Sequence, residues 1–177
     1  MIALVGLPGS GKSTISRQLG RLLQCPVLDT DAVIEEFLGC SIAEYFAREG
    51  EQAFRDIEAK TLAEALALRR GPAVLATGGG IVLRPENRQA LRELAYTVYL
   101  HAQPEQLFLR LKNDRSRPLL QNTNVHEKLH SLYAQRHALY QEVAHCQVDA
   151  SSHSPQAVAE EVIALYQKRC GNSCTSS

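Results

Sequence analysis

Directly after the aliphatic run Ile2 to Val5 stands Gly6-Leu7-Pro8-Gly9-Ser10-Gly11-Lys12-Ser13-Thr14, which fits G-x-x-x-x-G-K-[ST] and leads into a helical pattern. No other feature restricts the fold as much. Such a loop curls so that successive backbone N–H groups point inward at phosphate oxygens, and the following helix N-terminus adds partial positive charge. A turn that merely joins strand to helix would have no use for Lys-Ser after its last glycine. The loop therefore asks for an α/β sheet with the loop at the carboxyl end of its first strand.

The rest of the chain supplies such a sheet. Strand candidates are Ile2 to Val5, Val27 to Leu28, Ala73 to Ala76, Thr97 to Leu100 and Cys146 to Val148. Between them the helical patterns run Lys12 to Leu23, Ala32 to Leu38, Ile42 to Arg48, Glu51 to Leu68, Pro85 to Leu94, Pro104 to Leu111, Val125 to Val143 and Pro155 to Lys168. Alternation of this kind predicts a parallel sheet covered by helices on both faces, a three-layer α/β fold. At 177 residues the chain suits one domain, taken as 1–169, with 170–177 as a flexible tail. The charged, aperiodic stretch 112–124 is read as a mobile loop.

Composition narrows the function classes. Lys plus Arg and Asp plus Glu are 19 each, so the net charge is zero and neither nucleic acid nor an anionic membrane is an expected partner. No apolar run approaches the ~18 residues that span a bilayer, and the start lacks the basic residues of a secretion signal. A cytoplasmic monomer is expected. The five cysteines, at 25, 40, 146, 170 and 174, read as reduced thiols rather than a disulfide framework. The six histidines are read as forming no ligand pattern at i,i+4 spacing next to an acidic partner, and no structural metal is expected.

Within the loop, Lys12 is placed to reach the β and γ phosphates and the Ser13 hydroxyl to ligate Mg2+, so ATP and Mg2+ are implied. The guanine-reading N-K-x-D of GTPases is missing, and Ala73 to Gly80 lacks the strand-ending acid of hydrolytic ATPases. Asp29-Thr30-Asp31 puts two carboxylates at the end of the second strand, one suited to Mg2+ through water and one to an attacking hydroxyl. Asp31 could instead be only the N-cap of the next helix. Arg55 and Glu58, three apart on one helical face beside Phe54, can form a fork held for a substrate carboxylate or a plain solvated pair. Gly78-Gly79-Gly80 offers bare main chain to a substrate, or a flexible turn.

Taken together, these motifs resemble the shikimate kinase family. The likeness runs from Ile2 to about Leu165 and rests on the loop at 6–14, Leu28-Asp-Thr-Asp31, Gly39-Cys-Ser-Ile-Ala-Glu-Tyr-Phe46, Gly50-Glu-Gln-Ala-Phe-Arg-Asp-Ile-Glu58, Gly78-Gly-Gly80, Arg117-Pro-Leu-Leu120 and Tyr133-x-x-Arg136-x-x-x-Tyr140. The resemblance implies a nucleoside-monophosphate-kinase-like fold with strand order 2-3-1-4-5, a substrate-binding segment around 32–60 and a lid at about 112–124. It implies phosphorylation of the shikimate 3-hydroxyl by ATP. Arg55, Arg136 and the Gly78 to Gly80 backbone, Gly79 above all, would hold the carboxylate, and Asp31 the ring hydroxyls. Gly9, Ser10, Gly11, Lys12, Ser13 and Thr14 would cradle the phosphates. Lys12 and the lid residue Arg117 would neutralise the moving group, Ser13 and Asp29 would serve Mg2+, and Arg110 and Pro155 would sandwich adenine. Phe46 and Phe54 would wall the pocket, and His153 stands where some relatives have an adenine-side arginine. Gluconate or nucleoside-monophosphate phosphorylation on the same fold, and a catalytically silent nucleotide-binding module, are the alternatives.

Overall fold

The computed structural model describes residues 1–67, 70–113, 124–151 and 153–172. Five strands, β1 (Ile2–Val5), β2 (Val27–Asp29), β3 (Val74–Ala76), β4 (Tyr96–His101) and β5 (Cys146–Asp149), form one parallel sheet in the order β2-β3-β1-β4-β5. The helices are α1 (Lys12–Leu23), α2 (Thr30–Leu38), α3 (Ile42–Ala67), α4 (Pro85–Leu94), α5 (Pro104–Asn113), α6 (Asn124–Val143) and α7 (Pro155–Asn172). Most of the expected lid, with Arg117, lies outside the described residues, as do Leu68 and Cys174.

Period-two alternation divides the core between the two sheet faces. Ala3, Val5, Leu75 and Tyr99 face one way and pack with Leu62 of α3, Leu91 of α4 and Tyr140 of α6. Ile2, Leu4, Val74, Val98 and Val148 face the other way, against Ile15 and Leu19 of α1 and Val158 and Val162 of α7. Gly20 lets α1 lie close on β2, since a Cβ there would sit 2.2 Å from Val27 Cγ2. Register then sets the site. Asp29 of β2 is level with Ala76 of β3, which is level with Leu4 of β1, so the acids after β2 emerge beside the loop that follows β1.

Several local expectations change. The two helices expected at 42–48 and 51–68 form the single element α3, broken at Gly50, whose φ of 84° and ψ of 171° are not helical. Only the first aspartate belongs to the strand. Asp29 is the N-cap of α2, its Oδ1 accepting from the Asp31 N–H at 3.1 Å, so the capping role considered for Asp31 falls to Asp29. A 3₁₀ turn over Ile81–Leu83 is an additional element, three apolar residues with no period of their own to announce it. Helix α7 continues to Asn172, past the expected start of the tail at 170. His126 and His130 are an i,i+4 pair after all, and Glu105 meets them from α5, a carboxylate distant in sequence and so invisible to a local search.

Candidate active site

The glycines of the first loop do the bending. Gly9 and Gly11 take φ of 83° and 91°, which side chains rarely adopt, and Gly11 is the uncapped N-terminus of α1. Lys12 turns back into its own loop, donating from Nζ to Gly6 O at 2.8 Å and Leu7 O at 2.9 Å. Burial pushes its pKa down to about 8, against the opposing pull of the Asp31 and Asp29 carboxylates. Ser13 Oγ donates to Asp29 Oδ2 at 2.8 Å. Ser10 Oγ is buried with no hydrogen-bond partner, an orphan hydroxyl inside the loop.

Two adjoining cavities meet at this loop. The larger, about 390 Å³, is bounded by Lys12, Ser13, Asp29, Asp31 and Gly79. The smaller, about 280 Å³, is bounded by Ser10, Arg110, His153, Pro155 and Val158. Gly9, Gly11, Thr14 and Arg110 line both, so one elongated ligand could run from one into the other. Arg110 is fixed by donating to Ala150 O and to Ser151 O, the latter at 2.9 Å.

On the far side of Asp31 the glycine run is packed by the protein's own side chains. A Cβ on Gly78 would sit 2.5 Å from Asp31 Oδ1 and 3.1 Å from Glu58 Oε1, and one on Gly80 would sit 2.1 Å from Arg55 Nη1. Glycine is needed here so that Asp31, Glu58 and Arg55 can lie flat on the backbone. The Gly78 N–H donates to Thr30 Oγ1 at 3.1 Å, so this part of the expected substrate backbone is committed to the fold. Gly79 O receives Arg136 Nη1 at 3.0 Å and Tyr140 Oη at 2.5 Å.

Arg55 is gripped on both flanks. It donates to Glu58 Oε2 at 2.7 Å and to Glu51 Oε1 from Nε at 3.2 Å and Nη2 at 3.0 Å. Its guanidinium lies 5.7 Å from the Phe46 ring centroid and 5.2 Å from that of Phe54, and those rings are 4.6 Å apart. Arg136 Nε is buried with no partner, a cationic donor left for a ligand. Burial raises the Asp31 pKa, with the Asp29 charge adding to it and Lys12 opposing. Glu58 is likewise raised by burial, opposed chiefly by Arg55.

Lys12, Ser13, Asp29, Asp31 and Gly79 thus share one cavity, and the loop's remaining phosphate-cradle residues with Arg110 and Pro155 form its extension. Arg55, Gly78, Gly80 and Arg136 are brought to its edge. Thr30, Glu51 and Tyr140 were not singled out for these contacts, although Glu51 and Tyr140 each stand four residues from an arginine that was.

A family model described as shikimate kinase matches residues 8–167. The chain belongs to the shikimate kinase family. Curated family members include one from Paracidovorax citrulli, 45% identical over 96% of this chain and 93% of its own length. Another, from Burkholderia thailandensis, is 43% identical over 92% of this chain and 87% of its own. Among solved structures, shikimate kinase from Acinetobacter baumannii in complex with shikimate superposes with a TM-score of 0.86 at 38% identity, covering 95% of this chain and 93% of that one. A gluconokinase from Sinorhizobium meliloti 1021 superposes at 0.64 with 17% identity, covering 99% of this chain and 96% of that one, a likeness of fold alone.

Proposed function

We propose that this chain transfers the γ-phosphoryl group of ATP to the 3-hydroxyl of shikimate, giving shikimate 3-phosphate and ADP, with the acceptor held between Asp31 and the Arg55–Arg136 pair. ATP-dependent phosphorylation of shikimate in aromatic amino acid biosynthesis is the reaction of the family to which the chain belongs. The observation that carries the assignment of roles is the buried, unpartnered Arg136 Nε beside Gly79, with Arg55 braced against Gly80. Two cations set against the Gly79–Gly80 backbone suit a carboxylate, and Asp31, which lines the larger cavity together with the phosphate loop, suits a hydroxyl.

ATP fits the paired cavities, with adenine between Arg110 and Pro155 and the phosphates over the loop and the N-terminus of α1. Lys12 leaves Gly6 O and Leu7 O for the β and γ phosphates, and Arg117 is assigned, with Lys12, to neutralise the migrating group. Asp31 accepts the hydrogen bond of the 3-hydroxyl, aligns its oxygen with the γ phosphorus and takes the proton as the new P–O bond forms. Its raised pKa makes it a better acceptor than an ordinary aspartate.

Ser13 Oγ and Asp29 Oδ2 are adjacent hard oxygen donors of the kind Mg2+ takes and would hold it directly or through water. When bound, Mg2+ supplies charge neutralisation of the β and γ oxygens. The chain is assigned a cytoplasmic location and monomeric action on its small-molecule substrate, without nucleic acid or membrane. Its zero net charge argues against a general affinity for nucleic acid or an anionic membrane surface, and among the described residues no helix is long and apolar enough to cross a membrane. ADP production with shikimate, gluconate and AMP as parallel acceptors tests the assignment. Turnover confined to shikimate is expected, and turnover confined to either other acceptor would overturn it.

A further inference from the structure

Glu105, in the first turn of α5, and His126 and His130, near the start of α6, converge on one point at the surface. One ligand atom from each lies within 4.8 Å of the others. His130 Nε2 is 3.0 Å from Glu105 Oε1, and the two imidazole centroids are 4.5 Å apart. Phe108, on the same helix as Glu105, meets the His126 ring edge-on at 5.4 Å and backs it. None of the three lines either of the two cavities at the phosphate loop. We propose that these side chains form a binding site for a zinc-like divalent ion that bridges α5 and α6.

The donor set selects the class of ion. Two imidazoles and one carboxylate suit Zn2+ and its late first-row neighbours, whereas Mg2+ and Ca2+ take oxygen alone. The site would therefore not compete for the ion that accompanies ATP. Histidines at i and i+4 lie on one helical face, one turn apart, and so can chelate without a change of backbone. A tetrahedral ion with bonds of about 2.0–2.1 Å needs ligand atoms about 3.3 Å apart. The Glu105–His130 pair, at 3.0 Å, is within a few tenths of an ångström of that spacing, and rotation of surface side chains adjusts the others. Glu105 and His130 are 58% and 46% exposed, which leaves an entry path and room for water as the fourth ligand. A plain Glu105–His130 ion pair would account for one of these contacts but not for the convergence of His126 on the same point.

The bridge has a structural consequence. Helix α5 carries Arg110 and α6 carries Arg136, so the ion would tie the helix bearing the nucleotide-side arginine to the one bearing the acceptor-side arginine.

The test is calorimetric titration of Zn2+ into the full-length, nucleotide-free protein, beside His126→Ala, His130→Ala and Glu105→Gln. One ion per chain is expected, with affinity at least tenfold weaker in each histidine variant and several-fold weaker in the glutamine variant. A rise in unfolding temperature with Zn2+ should vanish in the histidine variants. Affinity unchanged by both histidine substitutions would overturn the site. Should a variant fold differently without metal, X-ray absorption of the wild-type zinc complex decides: two imidazole shells with oxygen support the site, and sulfur ligation overturns it. These readouts do not involve phosphoryl transfer, so a failure here and a failure of the proposed reaction are distinguishable.

Discussion

Lys12 is the group whose environment makes the sharpest quantitative claim. Its amine is buried in the loop with a pKa lowered from 10.5 to about 8, so the charged form is about 3 kcal/mol less favoured there than in water. Between pH 8 and 10.5 the unfolded chain holds this proton and the folded, nucleotide-free chain does not, so stability should rise with pH across that window. Nucleotide phosphates restore the charge. If the bound value returns to 10.5, binding takes up about 0.1 proton at pH 7, about 0.5 at pH 8 and about 0.9 at pH 9. Affinity should then weaken by about tenfold from pH 7 to 9. Calorimetry of MgADP binding in buffers of different ionisation enthalpy counts these protons directly. Terminal phosphates titrate near pH 6 and do not intrude above pH 8. Uptake near zero at pH 8 to 9, or equal uptake by Lys12→Met, would refute the reasoning.

Arg55→Ala should raise the KM for shikimate about 10- to 100-fold, from the loss of a charge-assisted carboxylate contact of about 1.5–3 kcal/mol, and leave the KM for ATP unchanged. An unchanged shikimate KM would remove Arg55 from the acceptor site. Gly80→Ala should push the Arg55 guanidinium aside, reproduce part of that effect and also lower stability by loosening Arg55 from the buried Glu58, measured as the same KM beside an unfolding curve. Gly20→Ala should affect stability alone. Its Cβ would collide with Val27 Cγ2, lowering stability by about 1–3 kcal/mol in denaturant unfolding while leaving the kinetic constants alone at low temperature.

What could be read from residue order follows from how local each feature is. The strand and helix patterns carry their own periods, and the phosphate loop is contiguous, so both were legible. Asp29 and Asp31 were legible as a pair, but which of them caps α2 depends on one backbone turn after β2. The glycine run was read as bare main chain for substrate, whereas Gly78 and Gly80 serve the close approach of Asp31, Glu58 and Arg55 from elements far away in sequence. His126 and His130, with Glu127 between them, form a contiguous i,i+4 pair legible in residue order, and only the Glu105 carboxylate, which comes from another helix, needed the fold. Tyr140 shows the intermediate case: its spacing from Arg136 was visible, but only the fold puts its hydroxyl on Gly79 O.

The joining of donor and acceptor across Asp31 is tested most directly by steady-state turnover and ATP affinity of Asp31→Asn. A carboxamide keeps the shape and the hydrogen-bond acceptor but takes up no proton, so kcat should fall by more than about tenfold while the Kd for ATP hardly moves. Wild-type turnover by this variant would contradict the account.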